Sequence, residues 1–427
     1  MHWKEEFLHF IWKYQLFNKQ DLQTTRGEAI NVLKTGLHNQ IQGPDFTHAS
    51  VQIGSEILHG HIEIHIDNKD WYHHKHQEDS YYNNVILHVV LNNTAELHTL
   101  TSTNQAIPIL CLESHISNMT VEHLESIIQT KKIIACQEIF RLPSSIILEQ
   151  FKSRLLVERI LRKSNFLQEI IKANLYHYEN SFYQAMLYGF GIKENSEFFL
   201  AIAQSIPQHL LAKYIDQPIK LEALFFGQAN LIQEVDEYSR QLLLEYNYLK
   251  KLHNLSPILF KVKRSGMLPA SFATIRLAQF VGFIHNKSHL YSKLTQFNSL
   301  IEIYNYFESS TSEYWTEHYD FGKVEQKPQS RKLSKLFIEK LIINIILPFR
   351  FLREMQEERS TEMTLNLYTE LKSESNAKTK AMQECFSFKN KSAFDSQALI
   401  EWYSSYCSHK KCLDCPIGYE TLRNTSD

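Results

Sequence analysis

The chain has 427 residues with 45 basic and 47 acidic side chains, a formal net charge of −2 that excludes a globally cationic nucleic-acid binder. Apolar residues at 43% and charged residues at 22% exclude a disordered chain and leave ample core for more than one domain. Only 12 Gly and 10 Pro punctuate it, which favours long helices over a many-stranded sandwich or barrel, and no apolar run reaches the 18 or so residues of a membrane span.

The opening stretch, Glu5 to Phe17, places Phe7, Leu8, Ile11, Trp12, Leu16 and Phe17 at helical spacings, so it reads as an amphipathic helix. Extended segments follow. Glu28 to Leu33 is short and apolar-rich, and Phe46 to Ile53 sets Ala49, Val51 and Ile53 on one face. His61 to Ile66 alternates strictly, with Ile62, Ile64 and Ile66 opposite His61, Glu63 and His65. Val85 to Leu91 is nearly continuous in apolar residues, the mark of a strand covered on both faces. A last hairpin is expected from Leu97 to Leu100 and from Ile107 to Leu112. A helix followed by strands makes residues 1–115 an α+β module with a mixed, partly antiparallel sheet.

From residue 116 to 427 the strand signals fade into a large all-α region. Stripes at helical spacing run through 146–171, 180–190, 197–213, 219–233, 236–253, 270–285, 334–347 and 395–406, punctuated by Pro207, Pro218, Pro257, Pro269 and Pro348. Tyr319 to Lys332 and Glu374 to Lys380 read as connecting loops. The start, Met1-His2-Trp3-Lys4-Glu5-Glu6, lacks a signal-peptide core, so the expected location is the cytoplasm.

Two constellations carry chemistry. In the first, His59, His61, His65, His73, His74, His76 and His88 crowd into thirty residues, with Asp45, Glu63, Asp70 and Asp79 among or near them. Asp45 stands at the start of one strand and Glu63 on the next, so a hairpin brings the two carboxylates together at one end of the sheet. Two carboxylates so placed cannot both ionise cheaply without a cation, which points to Mg²⁺ or Mn²⁺ and to phosphodiester hydrolysis. An alternative zinc site uses His74 and His76 with Asp79 or His65. The bland alternative is an aromatic and imidazole surface with no catalysis, with His88 a satisfied core histidine.

In the second, Cys407, Cys412 and Cys415 fall within nine residues at a spacing suited to Zn²⁺ or an iron–sulfur cluster. The fourth ligand must come from Cys136, Cys385, Cys111 or His409, and Cys136, at the junction of the two regions, would clasp the helical region's ends. Reduced structural thiols are the alternative.

An acidic residue on an opening helix (Glu5 or Glu6), Pro44-Asp45 at a strand start and Glu63-Ile64-His65 on the next strand together resemble the core of the PD-(D/E)xK nucleases. That resemblance implies a metal at Asp45 and Glu63, with His65 where those enzymes carry lysine; Lys69 or Lys75 would have to supply the missing cation. Over nearly its full length the chain also resembles an uncharacterised bacterial family, domain of unknown function 2851. The residues that carry this are Gly43-Pro44-Asp45-Phe46, Gly60-His61-Ile62-Glu63-Ile64-His65, Asp70-Trp71-Tyr72-His73-His74-Lys75-His76, Tyr82 to Val90, Arg159, Leu224 to Ala229, Ser396 to Ile400 and the cysteine cluster. At Ser265-Gly266-Met267-Leu268-Pro269 the chain departs from the Arg-Pro-rich form expected there.

The expectation is a metal-dependent nuclease or nuclease-derived nucleic-acid-binding protein. DNA or RNA would lie along Arg154, Arg159, Arg162, Lys163, Lys261, Lys263, Arg264 and Arg276 unless these form a solvated helix face. The alternative is a non-catalytic scaffold with a structural metal at the C-terminus.

Overall fold

The computed structural model describes residues 4–39, 42–94, 98–117, 130, 132–140, 143–264 and 268–423. Leu97 and Ser265 to Met267 lie outside them. The chain forms two compact units, Met1–Phe151 with Trp402–Asp427, and Lys152–Glu401. As expected, a helix and a mixed sheet come first and a large helical region follows.

In the first unit, α1 (Glu5–Tyr14) begins with Glu5 and Glu6 in its first turn and carries Lys13 in its last, each matched to the helix dipole. Its Leu8, Ile11 and Trp12 are fully buried. The sheet contains β1 (Ile30–Lys34), β2 (Leu37–His38), β3 (Phe46–Ile53), β4 (Glu56–Asp67) and β5 (Val85–Asn92). After β5 a small hairpin, β6 (Thr99–Leu100) with β7 (Ala106–Ile107), precedes the last strand, β8 (Ile109–Cys111). The order in the main sheet is β1-β3-β4-β5-β8, with β2 beside β3. β3 and β4 are antiparallel; β4, β5 and β8 run parallel. Residues 107–112 are therefore shared between two sheets rather than forming one hairpin arm.

The alternation at 61–66 sorts β4 as its sequence pattern dictates. Ile62 and Ile64 pack with Leu8, Ile11, Val89 and Leu110 in one core. On the opposite side, Trp71, Tyr82, Val85 and Ile107 make a second, smaller cluster. The pairing of β3 with β4 slips between Phe46 and Ala49, where His48 adopts φ +57°. Such bulges re-aim the chain beside them, and Asp45 is the residue that precedes this one. Gly60 of β4 passes so close to the neighbouring chain that a Cβ there would stand 2.5 Å from the Asn84 carbonyl oxygen.

The second unit is built of helices including Tyr178–Phe190, Ile192–Ser205, Pro218–Gln228, Glu237–Leu252 and Ala273–Ile284. They share one apolar core in which Phe190, Phe225 and Phe280 are fully buried. Two expected loops carry structure of their own. His318–Asp320 pairs with Lys323–Val324 as a short hairpin turning at Gly322 (φ +67°). Residues 374–380 lead into helix Ala377–Phe386, because Asn376 caps it by accepting from the Lys378 and Thr379 backbone N–H groups. No helix among the described residues is long and apolar enough to cross a membrane.

Candidate functional site

The slip in β3 and the parallel pairing of β4 with β5 bring the first constellation together. The Asp45 backbone N–H donates to Glu63 Oε2 at 3.0 Å, and the Ile64 N–H donates to Asp45 Oδ2 at 2.9 Å. From α1, His9 sets Nε2 3.2 Å from the same Asp45 oxygen. Across the sheet Glu63 stands in register with His88.

The other Glu63 oxygen faces imidazoles. Oε1 lies 3.3 Å from His76 Nε2 and 3.7 Å from His65 Nε2. His65 Nε2 is in turn 3.1 Å from His74 Nδ1, and His65 Nδ1 is 2.8 Å from His88 Nε2. His88 Nδ1 ends the row 3.0 Å from Thr99 Oγ1. His74 and His76 flank Lys75, whose left-handed φ of +62° turns both rings toward His65; the expected extended segment is a short helix, α2 (Asp70–His73), followed by this turn. Tyr82 stacks on His76 with ring centroids 3.9 Å apart and holds its plane. Asp79 is engaged elsewhere, accepting from Tyr81 N–H as a helix cap.

Burial dominates the electrostatics. Glu63 is 5% exposed, and desolvation, reinforced by the charge of Asp45, pushes its carboxyl up to about 9, so in the metal-free molecule it keeps its proton at neutral pH. Burial and then the neighbouring His88, His76 and His74 hold His65 far below the ordinary imidazole range. His88, fully buried, is pushed down to about 3. For His9 burial lowers the affinity for protons, but the close approach of Asp45 and its charge win and raise it. Glu5 is raised by burial and by Asp45, against His74 and His9. Of the two acidic residues in the first turn of α1, Glu5 is the one whose charge is felt with those of Asp45 and His9. Glu6 instead lines a cavity of about 380 Å³ that also holds Lys13, His38, Lys410, Lys411 and one side of His9.

Among the described residues, the ion-pair partners of Asp45 and Glu63 are all histidines. Lys69 and Lys75 are exposed. Two ring nitrogens of the group, His9 Nε2 and His76 Nε2, are buried with no aligned hydrogen-bond partner. Three imidazole donors, on His65, His74 and His76, lie within 4.8 Å of one another.

A family model described as Protein of unknown function (DUF2851) matches residues 5–377. The chain belongs to this family. No curated protein and no solved structure matches it. The whole first constellation falls inside the match, from Glu5 to Thr99, whereas Ser396 to Ile400 and the three C-terminal cysteines lie beyond residue 377.

Those cysteines fold with the first unit. Cys136, Cys407, Cys412 and Cys415 are all buried within it. Cys412 packs in the core with Leu8 and Ile64, and burial, then Cys415, push its thiol up to about 11. The Cys415 N–H donates to the Cys412 carbonyl at 3.3 Å, closing a turn. Gly418 follows so closely that a Cβ would stand 2.2 Å from that carbonyl oxygen.

Of the eight cations singled out in the helical unit, six have partners within it. Arg159 and Arg162 reach Glu401, and Lys163 Nζ donates to the Ile343 carbonyl at 3.2 Å and to Gln397 at 2.8 Å. Arg154 pairs with Glu158, and Arg264 with Asp320. Arg276 lies over the Phe337 ring at 4.1 Å. Lys261 and Lys263 are exposed.

His9 was invisible to sequence reasoning, although a signal exists: it follows Glu5 by four residues, so the two share a helix face.

Proposed function

We propose that the first unit is a cytoplasmic metal-dependent phosphodiesterase of nuclease type, acting on DNA or RNA, with Asp45 and Glu63 at its centre. The observation that carries this reading is the convergence of the two carboxylates across β3 and β4, with α1 bringing His9 to Asp45.

The residues present suit a divalent cation, which the carboxylate pair taken alone leads one to expect as Mg²⁺ or Mn²⁺. A buried carboxyl faces imidazoles with no lysine or arginine paired to it among the described residues, and a divalent ion there would take the place of the proton it otherwise keeps. Glu63 and His65 would hold the ion, with Asp45 hydrogen-bonded beside Glu63. When bound, it supplies a Lewis acid that stabilises negative charge on the phosphoryl oxygens.

The chain's own residues divide the remaining work. The Ile64 N–H fixes the orientation of Asp45. His65, neutral because it is buried, cannot replace the lysine of the related pattern as a cation; His9, whose affinity for protons is raised, takes that part beside Asp45 and in its protonated form would donate that proton to the leaving oxygen. Lys13, Lys410 and Lys411 around the adjoining cavity would hold flanking phosphates. Cys136, Cys407, Cys412 and Cys415 would hold Zn²⁺ or an iron–sulfur cluster that ties the C-terminal segment into this unit.

The second reading, a non-catalytic scaffold, draws on the internal pairing of six of the eight cations expected along a nucleic-acid groove. Incubating the purified protein with single- and double-stranded DNA and RNA and a series of divalent ions separates the two. Cleavage that disappears in Asp45→Ala and Glu63→Ala supports the enzyme. Cleavage that survives both, or none with any ion, removes it.

A further inference from the structure

We infer that the ion taken by this centre is of the zinc class rather than magnesium, held by His65 Nε2, His74 Nδ1, His76 Nε2 and Glu63 Oε1. The inference rests on the metal-dependent reading above and assigns that metal's ligands and identity.

Geometry is the first argument. A tetrahedral zinc with metal–donor bonds near 2.0–2.1 Å has donor–donor edges of about 3.3 Å. The edges here are 3.1 Å from His65 to His74, 3.3 Å from His76 to Glu63 and 3.7 Å from His65 to Glu63. These three of the six edges bracket the ideal value; His65, His74 and His76 lie within 4.8 Å of one another, and Glu63 comes this close to His65 and His76.

Donor chemistry is the second. Three imidazole nitrogens and one carboxylate oxygen suit zinc, cobalt or nickel, whereas magnesium seeks six oxygens in a strict octahedron.

The third argument is orientation. Ligating histidines commonly donate their far ring nitrogen to a fixed acceptor, which sets the tautomer. His65 has such a support in His88, and His88 in Thr99, all three buried. With His65 donating from Nδ1 and His88 donating from Nδ1 to the hydroxyl, the His65 Nε2 lone pair points at the other donors. His76 is locked by Tyr82 and presents a buried Nε2 with no aligned partner. His74, the exposed member, leaves the ion a route from solvent.

The test is metal content and affinity of the full chain, with zinc and with cobalt as a spectroscopic probe. Wild-type protein is compared with His74→Ala, His76→Ala, Thr99→Val and Cys412→Ser. His74 is exposed, so its replacement leaves folding intact. Expected are loss of one zinc equivalent in each histidine variant, and about a tenfold weaker zinc affinity in Thr99→Val. Cys412→Ser should leave unchanged the visible cobalt bands of a nitrogen and oxygen site, which lack thiolate charge transfer. Unchanged zinc stoichiometry in folded His74→Ala and His76→Ala, or ready displacement of zinc by millimolar magnesium, overturns the assignment. Zinc bound through the histidines without cleavage of any nucleic acid keeps it and removes the hydrolase. Magnesium-driven cleavage indifferent to His74→Ala does the reverse.

Discussion

Asp45 and Glu63 clasp each other across adjacent strands: the main-chain N–H of Asp45 is held by the Glu63 carboxyl, and the Asp45 carboxylate is held by the N–H that follows Glu63. Each acid fixes the backbone that presents the other. The clasp explains how an acidic side chain next to a bulge keeps one orientation.

Asp45→Asn tests the charge without the clasp, since an amide oxygen still accepts from Ile64 N–H. The fold should persist while hydrolytic turnover drops by about 100-fold or more. Circular dichroism and a cleavage assay on the same preparation decide it; undiminished cleavage would show that Asp45 is only a strand fastener.

Gly60→Ala tests the support beneath the site. The new methyl group would meet the Asn84 carbonyl oxygen and the Ile86 side chain, both at 2.5 Å. Backbone cannot yield cheaply there, so β4 and β5 should part and the first unit should lose about 1–3 kcal/mol. Chemical denaturation measures the loss, and a variant as stable as wild type would mean that the strands separate without cost.

Glu401→Ala concerns the helical unit. Glu401 is 3% exposed and is shared by Arg159 and Arg162. Removing it strands a largely buried guanidinium, a loss of roughly 3–5 kcal/mol. Denaturation midpoints should fall accordingly; a change under about 1 kcal/mol would show that solvent already screens the cluster.

Glu222 gives a pH signature. Burial raises its carboxyl, with a hydrogen bond from Tyr238 opposing. The folded state therefore binds this proton more tightly than the unfolded chain. Its contribution is full below the ordinary glutamate range near 4.5 and is lost as pH rises through the raised value, by up to about 1.4 kcal/mol per pH unit. Thermal midpoints of Glu222→Gln should fall less steeply with rising pH than those of wild type, and parallel curves would contradict this.

The strands were legible because period-two alternation leaves a mark in few residues. His61 to Ile66 announced both the buried Ile62 and Ile64 and the shared face of Glu63 and His65. Local spacing also brought His74 and His76 into view together. It could not reveal that Lys75 turns left-handed between them, or that His65 would lean on His88 across a parallel pairing. The helical stripes were equally plain, but their charges were not. Arg159 looks free in sequence because its partners Gln397 and Glu401 lie more than 230 positions away. Long-range pairing has no periodicity to betray it.

The return of the chain at Trp402 to the unit it left at Phe151 has a consequence for biosynthesis. A ribosome emits the strands bearing Asp45 and Glu63 well before the segment containing Cys412, which packs in the core beneath them. The helical unit can close as soon as it emerges, whereas the strand-bearing half must wait for Trp402 and the residues after it. A stalled nascent chain ending before Trp402 would thus carry a finished interior beside an unfinished beginning.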